Sequence, residues 1–222
     1  MALYAVVPVK NLVGSKRRLS LVFTPHERKQ LTLAMLQDVL VTLGNSVAEQ
    51  VLVIGENAQV QEVAEDCGAK YKDATKDGLN PAIEEGSNWC MKKGASSVLI
   101  VPADIPLITA KDVNRIVQLA GNDRAVVLSP SNNWGTNALF QCPPKIIPAC
   151  FGPKSFFAHV REAYFKGISV RLHFSPGLAT DIDSAEDLRK LFEIENSTTC
   201  RKVLEQIMGN SAKARLFFSN KN

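Results

Sequence analysis

The stretch Leu3-Tyr4-Ala5-Val6-Val7-Pro8-Val9-Lys10-Asn11-Leu12-Val13-Gly14-Ser15-Lys16-Arg17-Arg18-Leu19 decides the fold. Its first part, Leu3–Val7, is a continuous hydrophobic run of strand length, the pattern of a strand covered on both faces of an α/β sheet. Through Pro8-Val9 it empties into a loop with four cations and no acid between Lys10 and Arg18. Open α/β sheets bind ligands at the carboxyl ends of their strands, and clustered cations there suit phosphates. The same charges also fit a solvated surface loop.

Outward from this stretch, strand-like and helix-like segments alternate. Thr24-Pro25-His26-Glu27 is a capping box with proline at the first helical position, and Leu31, Met35, Val39 and Leu43 follow at helical spacing. Gln50–Ile54, Ser97–Val101, Ala125–Ser129, Asn137–Gln141 and Ile168–Phe174 read as further strands. Asn57 caps a helix ending near Gly68, Asn80-Pro81 opens one ending at Gly94, and Thr109-x-x-Asp112 caps one running to Gly121. Later helices are expected over Ser155–Lys166, from Ser184-x-x-Asp187 to about residue 194, and over Thr199–Met208. This alternation implies a mainly parallel sheet with helices on both faces. No repeat or composition break divides the chain, so one domain is expected over residues 1–208, followed by a polar tail, 209–222.

Composition narrows the function. The chain has 222 residues, 45% hydrophobic and 22% charged, with a net charge of +4. That charge is too small to argue for nucleic acid. Five widely spaced cysteines without a C-x-x-C fit reduced thiols rather than a disulfide framework or zinc knuckle. No signal peptide and no long apolar span is seen, so a cytoplasmic, membrane-free protein is expected.

Three further segments carry chemistry. In Val98-Leu99-Ile100-Val101-Pro102-Ala103-Asp104-Ile105-Pro106, a carboxylate follows a buried strand. If that strand is a parallel neighbour of the first, Asp104 faces the basic loop. It then either forms a structural ion pair or holds a divalent cation together with phosphate oxygens. Thr180-Asp181-Ile182-Asp183-Ser184-Ala185-Glu186-Asp187 adds four acids. Glu186 and Asp187 suit a helix N-terminus, and Asp181 and Asp183 alternate and could share a face, with a helix cap as the competing role for Asp183. Trp134-Gly135-Thr136-Asn137 and Phe151-Gly152-Pro153-Lys154-Ser155 are either turns and caps or sites for small anions at free backbone amides. Neither a G-x-G-x-x-G after the first strand nor a P-loop is present, which argues against a dinucleotide dehydrogenase or P-loop NTPase. His26, His159 and His173 lack partners at metal spacing and read as structural or surface residues.

Together these segments resemble the guanylyltransferases of deazaflavin-coenzyme biosynthesis, the CofC family. The similarity runs from Val6 to about Leu188, through Pro8-Val9-Lys10, Ser15-Lys16-x-Arg18-Leu19, Gly78-Leu79-Asn80, Pro102-Ala103-Asp104-Ile105-Pro106, Gly135-Thr136-Asn137-Ala138-Leu139-Phe140, Phe151-Gly152-x-x-Ser155-Phe156 and Thr180-Asp181-Ile182-Asp183. It implies a nucleotide-diphospho-sugar-transferase-like α/β/α sandwich with a mixed, mostly parallel sheet. It also implies GMP transfer from GTP to a phosphorylated three-carbon acid, with Mg2+ and a homodimer. By the same resemblance, Pro8, Lys10, Lys16, Arg18, Gly78 and Asn80 bind nucleotide, and Lys10, Lys16, Arg18 and Asp104 serve catalysis. Asp104 and Asp183, with Asp181 as substitute, hold metal, while Thr136, Gly152 and Ser155 hold the acid. The extra cation Arg17, and Pro153-Lys154 inside the substrate motif, depart from a typical member of the family. Two other readings stand beside this one: another nucleotidyltransferase of the same fold (molybdopterin or sugar-phosphate type), and a non-catalytic nucleotide-binding protein.

Overall fold

The first strand lies at the centre of the sheet. The computed structural model describes residues 2–9, 12, 16–121, 124–193 and 198–209. Within them the first half holds β1 (Leu3–Pro8), α1 (Pro25–Gly44), β2 (Gln50–Gly55), α2 (Ala58–Asp66), β3 (Lys70–Asp73), α3 (Leu79–Lys92), β4 (Ser97–Ile100) and α4 (Ala110–Ala120). The second half holds β5 (Ala125–Pro130), β6 (Thr136–Cys142), α5 (Ser155–Phe165), β7 (Ser169–Leu172), α6 (Pro176–Ala179), α7 (Ala185–Glu193) and α8 (Thr199–Met208). The expected tail falls outside the described residues beyond Gly209.

The seven strands form one sheet in the order β3-β2-β1-β4-β6-β5-β7. β1 pairs in parallel with both β2 and β4, with Val6 opposite Leu52 and Ile100. β6 alone runs antiparallel to its neighbours, β4 and β5. The five-residue connection 131–135 explains this: it can turn a hairpin but cannot make the long crossover a parallel neighbour requires. The sheet is thus mixed and mostly parallel.

Both faces are covered, which is why the strands are apolar throughout. Ala5, Val7, Leu99, Val127 and Phe140 pack under α1, α2 and α4, whereas Val6, Leu52, Ile100, Val126 and Leu139 pack under α3 and α5. A third cluster lies off the sheet and joins Leu19, Phe23, Leu31 and Met35 to Ile182, Leu188, Leu191, Cys200 and Leu204. It brings the end of the basic loop against the C-terminal helices.

The expected caps form. Thr24 and Glu27 make the capping box of α1, Thr109 and Asp112 that of α4, and Asn57 caps α2. Three elements were not expected. β3 (Lys-Tyr-Lys-Asp) is an edge strand whose charged residues hide its strand character. α6 has only four residues, too short for a periodic signal. Arg17–Leu19 is a 3-10 turn inside the cationic segment. The start of α3 also moves: Gly78, at φ 102°, occupies the cap position given above to Asn80. No helix among the described residues is long and apolar enough to cross a membrane.

Candidate functional site

Because β1 and β4 are parallel neighbours, the loops after them leave the same sheet edge. There a cleft of about 620 Å3 opens, lined by Pro8, Val9, Lys16, Ile54, Gly78, Leu79, Asp104, Phe151 and Asp183 among others. Among these, Lys16 bridges two of the acids. Its ammonium sits 2.7 Å from Asp104 Oδ2 and 2.5 Å from Asp183 Oδ1, and its side chain is 5% exposed. Burial alone would pull the lysine pKa down, but the two facing carboxylates outweigh it and hold it above its ordinary value.

Local packing explains how residues so distant in sequence meet. Leu19 and Ile182, both fully buried in the third cluster, anchor the segments carrying Lys16 and Asp183. The Ile182 amide donates to the Asp104 carbonyl at 2.9 Å, tying the acidic segment to the β4 turn. Behind it, Asn137 Nδ2 donates to the Leu178 carbonyl at 2.7 Å. Gly177 approaches the Leu107 carbonyl so closely that a Cβ would collide with backbone. Asp183 is not spent as a cap: Ser184 caps α7, and Asp187 Oδ2 accepts from both the amide and the hydroxyl of Ser184. Asp183 is therefore left to face Lys16. Asp181 makes no ion pair with Lys16, but burial, followed by the nearby Asp183 and Asp104 charges, raises its pKa.

The other expected residues are distributed unevenly. Pro8 and Gly78 line the cleft. Arg18 is exposed on the turn beside Lys16, and Lys10 lies outside the described residues. Asn80 is engaged elsewhere: its Oδ1 accepts from the Phe151 amide at 2.7 Å, and its Nδ2 donates to the Phe151 carbonyl at 3.0 Å. It fastens the Phe151 wall of the cleft to α3. Thr136 and Ser155 are buried and bonded to each other, Ser155 Oγ to Thr136 Oγ1 at 3.1 Å. The amides at the start of α5 are not free, since those of Ser155, Phe156 and Phe157 donate to the carbonyls of Gly152, Trp134 and Lys154. The anion site expected at free amides there is therefore not formed by those three amides.

His159, read as structural or surface, is fully buried against this pair. Its Nδ1 is 2.9 Å from Thr136 Oγ1, and its Nε2 accepts from the Cys150 amide at 2.9 Å. Glu56 and Asp77 also line the cleft, and neither belongs to a motif singled out in the sequence.

A divalent cation suits the pair Asp104 and Asp183. The donors are carboxylate oxygens and already grip a cationic group between them. Among the described residues no group of three Asp, Glu, His or Cys is placed to hold a metal. Two carboxylates with the remainder supplied by phosphates and water is a typical Mg2+ arrangement, not that of a closed structural site.

The model of the family described as "Guanylyl transferase CofC like" matches residues 3–215. The chain belongs to this family. Over 192 residues it is 42% identical to the phosphoenolpyruvate guanylyltransferase of Rubrobacter xylanophilus, covering 86% of this chain and 94% of that one. It is 36% identical to the 2-phospho-L-lactate guanylyltransferase of Methanothermobacter thermautotrophicus, covering 91% and 90%. It is 31% identical to the 3-phospho-D-glycerate guanylyltransferase of Colwellia psychrerythraea, covering 87% and 93%. Among solved structures, a protein named for the nucleotide-diphospho-sugar transferases, from Desulfovibrio desulfuricans G20, superposes with a TM-score of 0.79 at 16% identity, covering 98% and 99%. That likeness identifies the fold expected from the sequence. As a CofC-like guanylyltransferase, the chain is an enzyme of the nucleotidyltransferase class.

Proposed function

We propose that this CofC-like chain transfers GMP from GTP to the phosphate of a phosphorylated three-carbon acid (phosphoenolpyruvate, 2-phospho-L-lactate or 3-phosphoglycerate), releasing pyrophosphate, in the biosynthesis of the deazaflavin coenzyme F420. The observation that carries this is the Lys16 ammonium held between Asp104 and Asp183 in a cleft at the carboxyl ends of β1 and β4. In the reaction a phosphate oxygen of the acid forms a bond to the α-phosphorus of GTP. The bond from that phosphorus to the α–β bridging oxygen breaks, and pyrophosphate leaves with the electron pair. The attacking phosphate monoester is already largely ionised near neutral pH, so no general base is required. Positioning and charge neutralisation do the work.

Asp104 and Asp183 are the residues that would hold Mg2+, which would supply neutralisation of phosphate charge, and Lys16 contributes a positive charge of its own to the cleft. The acidic cleft lining supports this reading, since Glu56, Asp77, Asp104 and Asp183 outnumber Lys16 among the described residues. Glu56 and Asp77 follow β2 and β3, on the opposite side of β1 from Asp104. In this reading their carboxylates are the acceptors for guanine, which presents adjacent N1–H and N2–H donors on its Watson–Crick edge. Thr136, Gly152 and Ser155, next to the Phe151 wall, hold the acid. The enzyme acts in the cytoplasm, consistent with five free cysteines, and works as a homodimer, which light scattering checks.

A pyrophosphate-release assay crossing four nucleoside triphosphates with the three acids tests the proposal. GTP with at least one acid is expected to turn over, and only with a divalent cation present. Turnover with another nucleotide alone, or nucleotide binding without pyrophosphate release for any acid, overturns it.

A further inference from the structure

His159 is held by a partner whose chemistry is unambiguous. A backbone amide can only donate, so the 2.9 Å contact from the Cys150 amide makes Nε2 an acceptor without a proton. The ring proton therefore sits on Nδ1 and points at Thr136 Oγ1, 2.9 Å away. Thr136 in turn is bonded to Ser155 at 3.1 Å. The chain of groups now has a proton count. The Nδ1–H, the threonine hydroxyl and the serine hydroxyl bring three protons, while the two contacts consume two. Whichever way the Thr136–Ser155 bond runs, one hydroxyl proton remains uncommitted. With the other tautomer, Thr136 would donate to the ring and Ser155 to Thr136. The hydroxyl pair would then offer only lone pairs to a ligand.

We propose that His159 is a positioning residue which, by donating Nδ1–H to Thr136, makes the Thr136–Ser155 hydroxyl pair a fixed hydrogen-bond donor to an anionic oxygen of the acceptor acid. This rests on the reading above that Thr136 and Ser155 hold the acid. It goes further, because it says why two buried hydroxyls would attract an anion when the neighbouring helix amides are already occupied. The ring is suited to the task. It is fully buried, its neutral form is favoured by desolvation, and Phe151 meets it edge-on at a centroid distance of 5.0 Å. Phe151 is itself clamped by Asn80 and lines the cleft, so the ring, the hydroxyl pair and the cleft wall are braced together. The pair itself is buried and flanks the cleft behind Phe151 rather than lining it, while the adjacent Gly152 is exposed and a Cβ built on it would meet open space.

Two measurements on the full chain test this. In 15N-histidine-labelled protein at neutral pH, the His159 ring is expected to show a protonated Nδ1 and an unprotonated Nε2. A protonated Nε2 overturns the inference. In steady-state assays at saturating GTP, Thr136→Val and Ser155→Ala are each expected to raise KM for the acid about tenfold or more, with KM for GTP little changed. His159→Asn, which can still donate to Thr136, and His159→Asp, which can only accept when ionised, form the decisive pair. KM for the acid is expected to be about tenfold or more higher in His159→Asp than in His159→Asn at similar kcat. Equal KM values in two folded variants overturn the inference. If His159→Asp does not fold, as judged by its melting curve, the ring tautomer together with Thr136→Val decides. Should Thr136→Val and Ser155→Ala both leave KM for the acid unchanged, the acid-site reading itself fails and takes the inference with it. Should both raise it while the ring carries its proton on Nε2, the acid site stands and the inference alone fails.

Discussion

At the scale of single residues, Lys16 and His159 are two buried bases with opposite fates. Lys16 stays charged because two carboxylates face it, while His159 stays neutral because burial disfavours its charged form and pushes its pKa down to about 4. The histidine carries a pH signature. A group whose folded pKa lies below its unfolded value takes up protons more readily when unfolded. The contribution of His159 to stability is therefore complete above about pH 6.5 and falls as pH drops toward 4. The shift from 6.5 to about 4 corresponds to about 3 kcal/mol. Denaturation in urea from pH 7 to 4 is expected to show this loss, and a folded His159→Asn protein to lack that part of it. Asp104 makes a different prediction. Asp104→Asn removes a charge from the cleft without altering its shape, so turnover is expected to fall by about 10^2-fold or more. Its melting temperature is expected to fall as well, because Lys16 is left buried with Asp183 as its remaining carboxylate partner, so the loss of turnover is measured well below the melting transition. Near-normal, Mg2+-dependent turnover in the folded variant would remove Asp104 from the metal assignment.

At the scale of elements, two contacts hold distant pieces in place. Asp38 on α1 accepts from the amides of Thr199 and Cys200, at 2.6 and 2.8 Å, and so caps α8 from a different helix. Asp38→Ala strands both amides and is expected to cost about 2 kcal/mol in chemical denaturation, beginning with the release of α8. Gly177→Ala drives a methyl into the Leu107 backbone. Since α6 leads directly to Asp183, the expected result is a displaced acidic segment and a loss of turnover larger than the loss of stability. These contacts also mark the limit of what the sequence reveals. The caps at Thr24, Thr109 and Ser184 are legible because donor and acceptor lie within one turn of each other. The Asp38 cap spans a separation of 161 residues and the Asn80–Phe151 clamp one of 71, and no local pattern announces either. Asn80 accordingly reads as a helix start from sequence, whereas in the fold its amide is committed to Phe151.

At the scale of the molecule, the sheet order follows from information the chain displays openly: apolar strands, helices between them, and one connection too short to cross over. The same logic brings Asp104 to the edge where β1 ends. Strand pattern alone could not show that the ring of His159 would sit under Thr136, since a histidine in a helix looks the same whether its partner is water or a hydroxyl. The Lys16 contacts to Asp104 and Asp183 have sequence separations of 88 and 167. A ligand seated there grips the beginning, middle and end of the chain at once, so its binding energy opposes global unfolding rather than the opening of one loop. With a divalent cation and GTP at about a hundred times the dissociation constant, the folded state gains about 2.7 kcal/mol. Protection from proteolysis is expected to extend from the first loop to α7. During synthesis the same stitching imposes an order of events: the sheet edge at β1 and β4 can form early, but Lys16 of a nascent chain lacks its second carboxylate until Asp183 has left the ribosome.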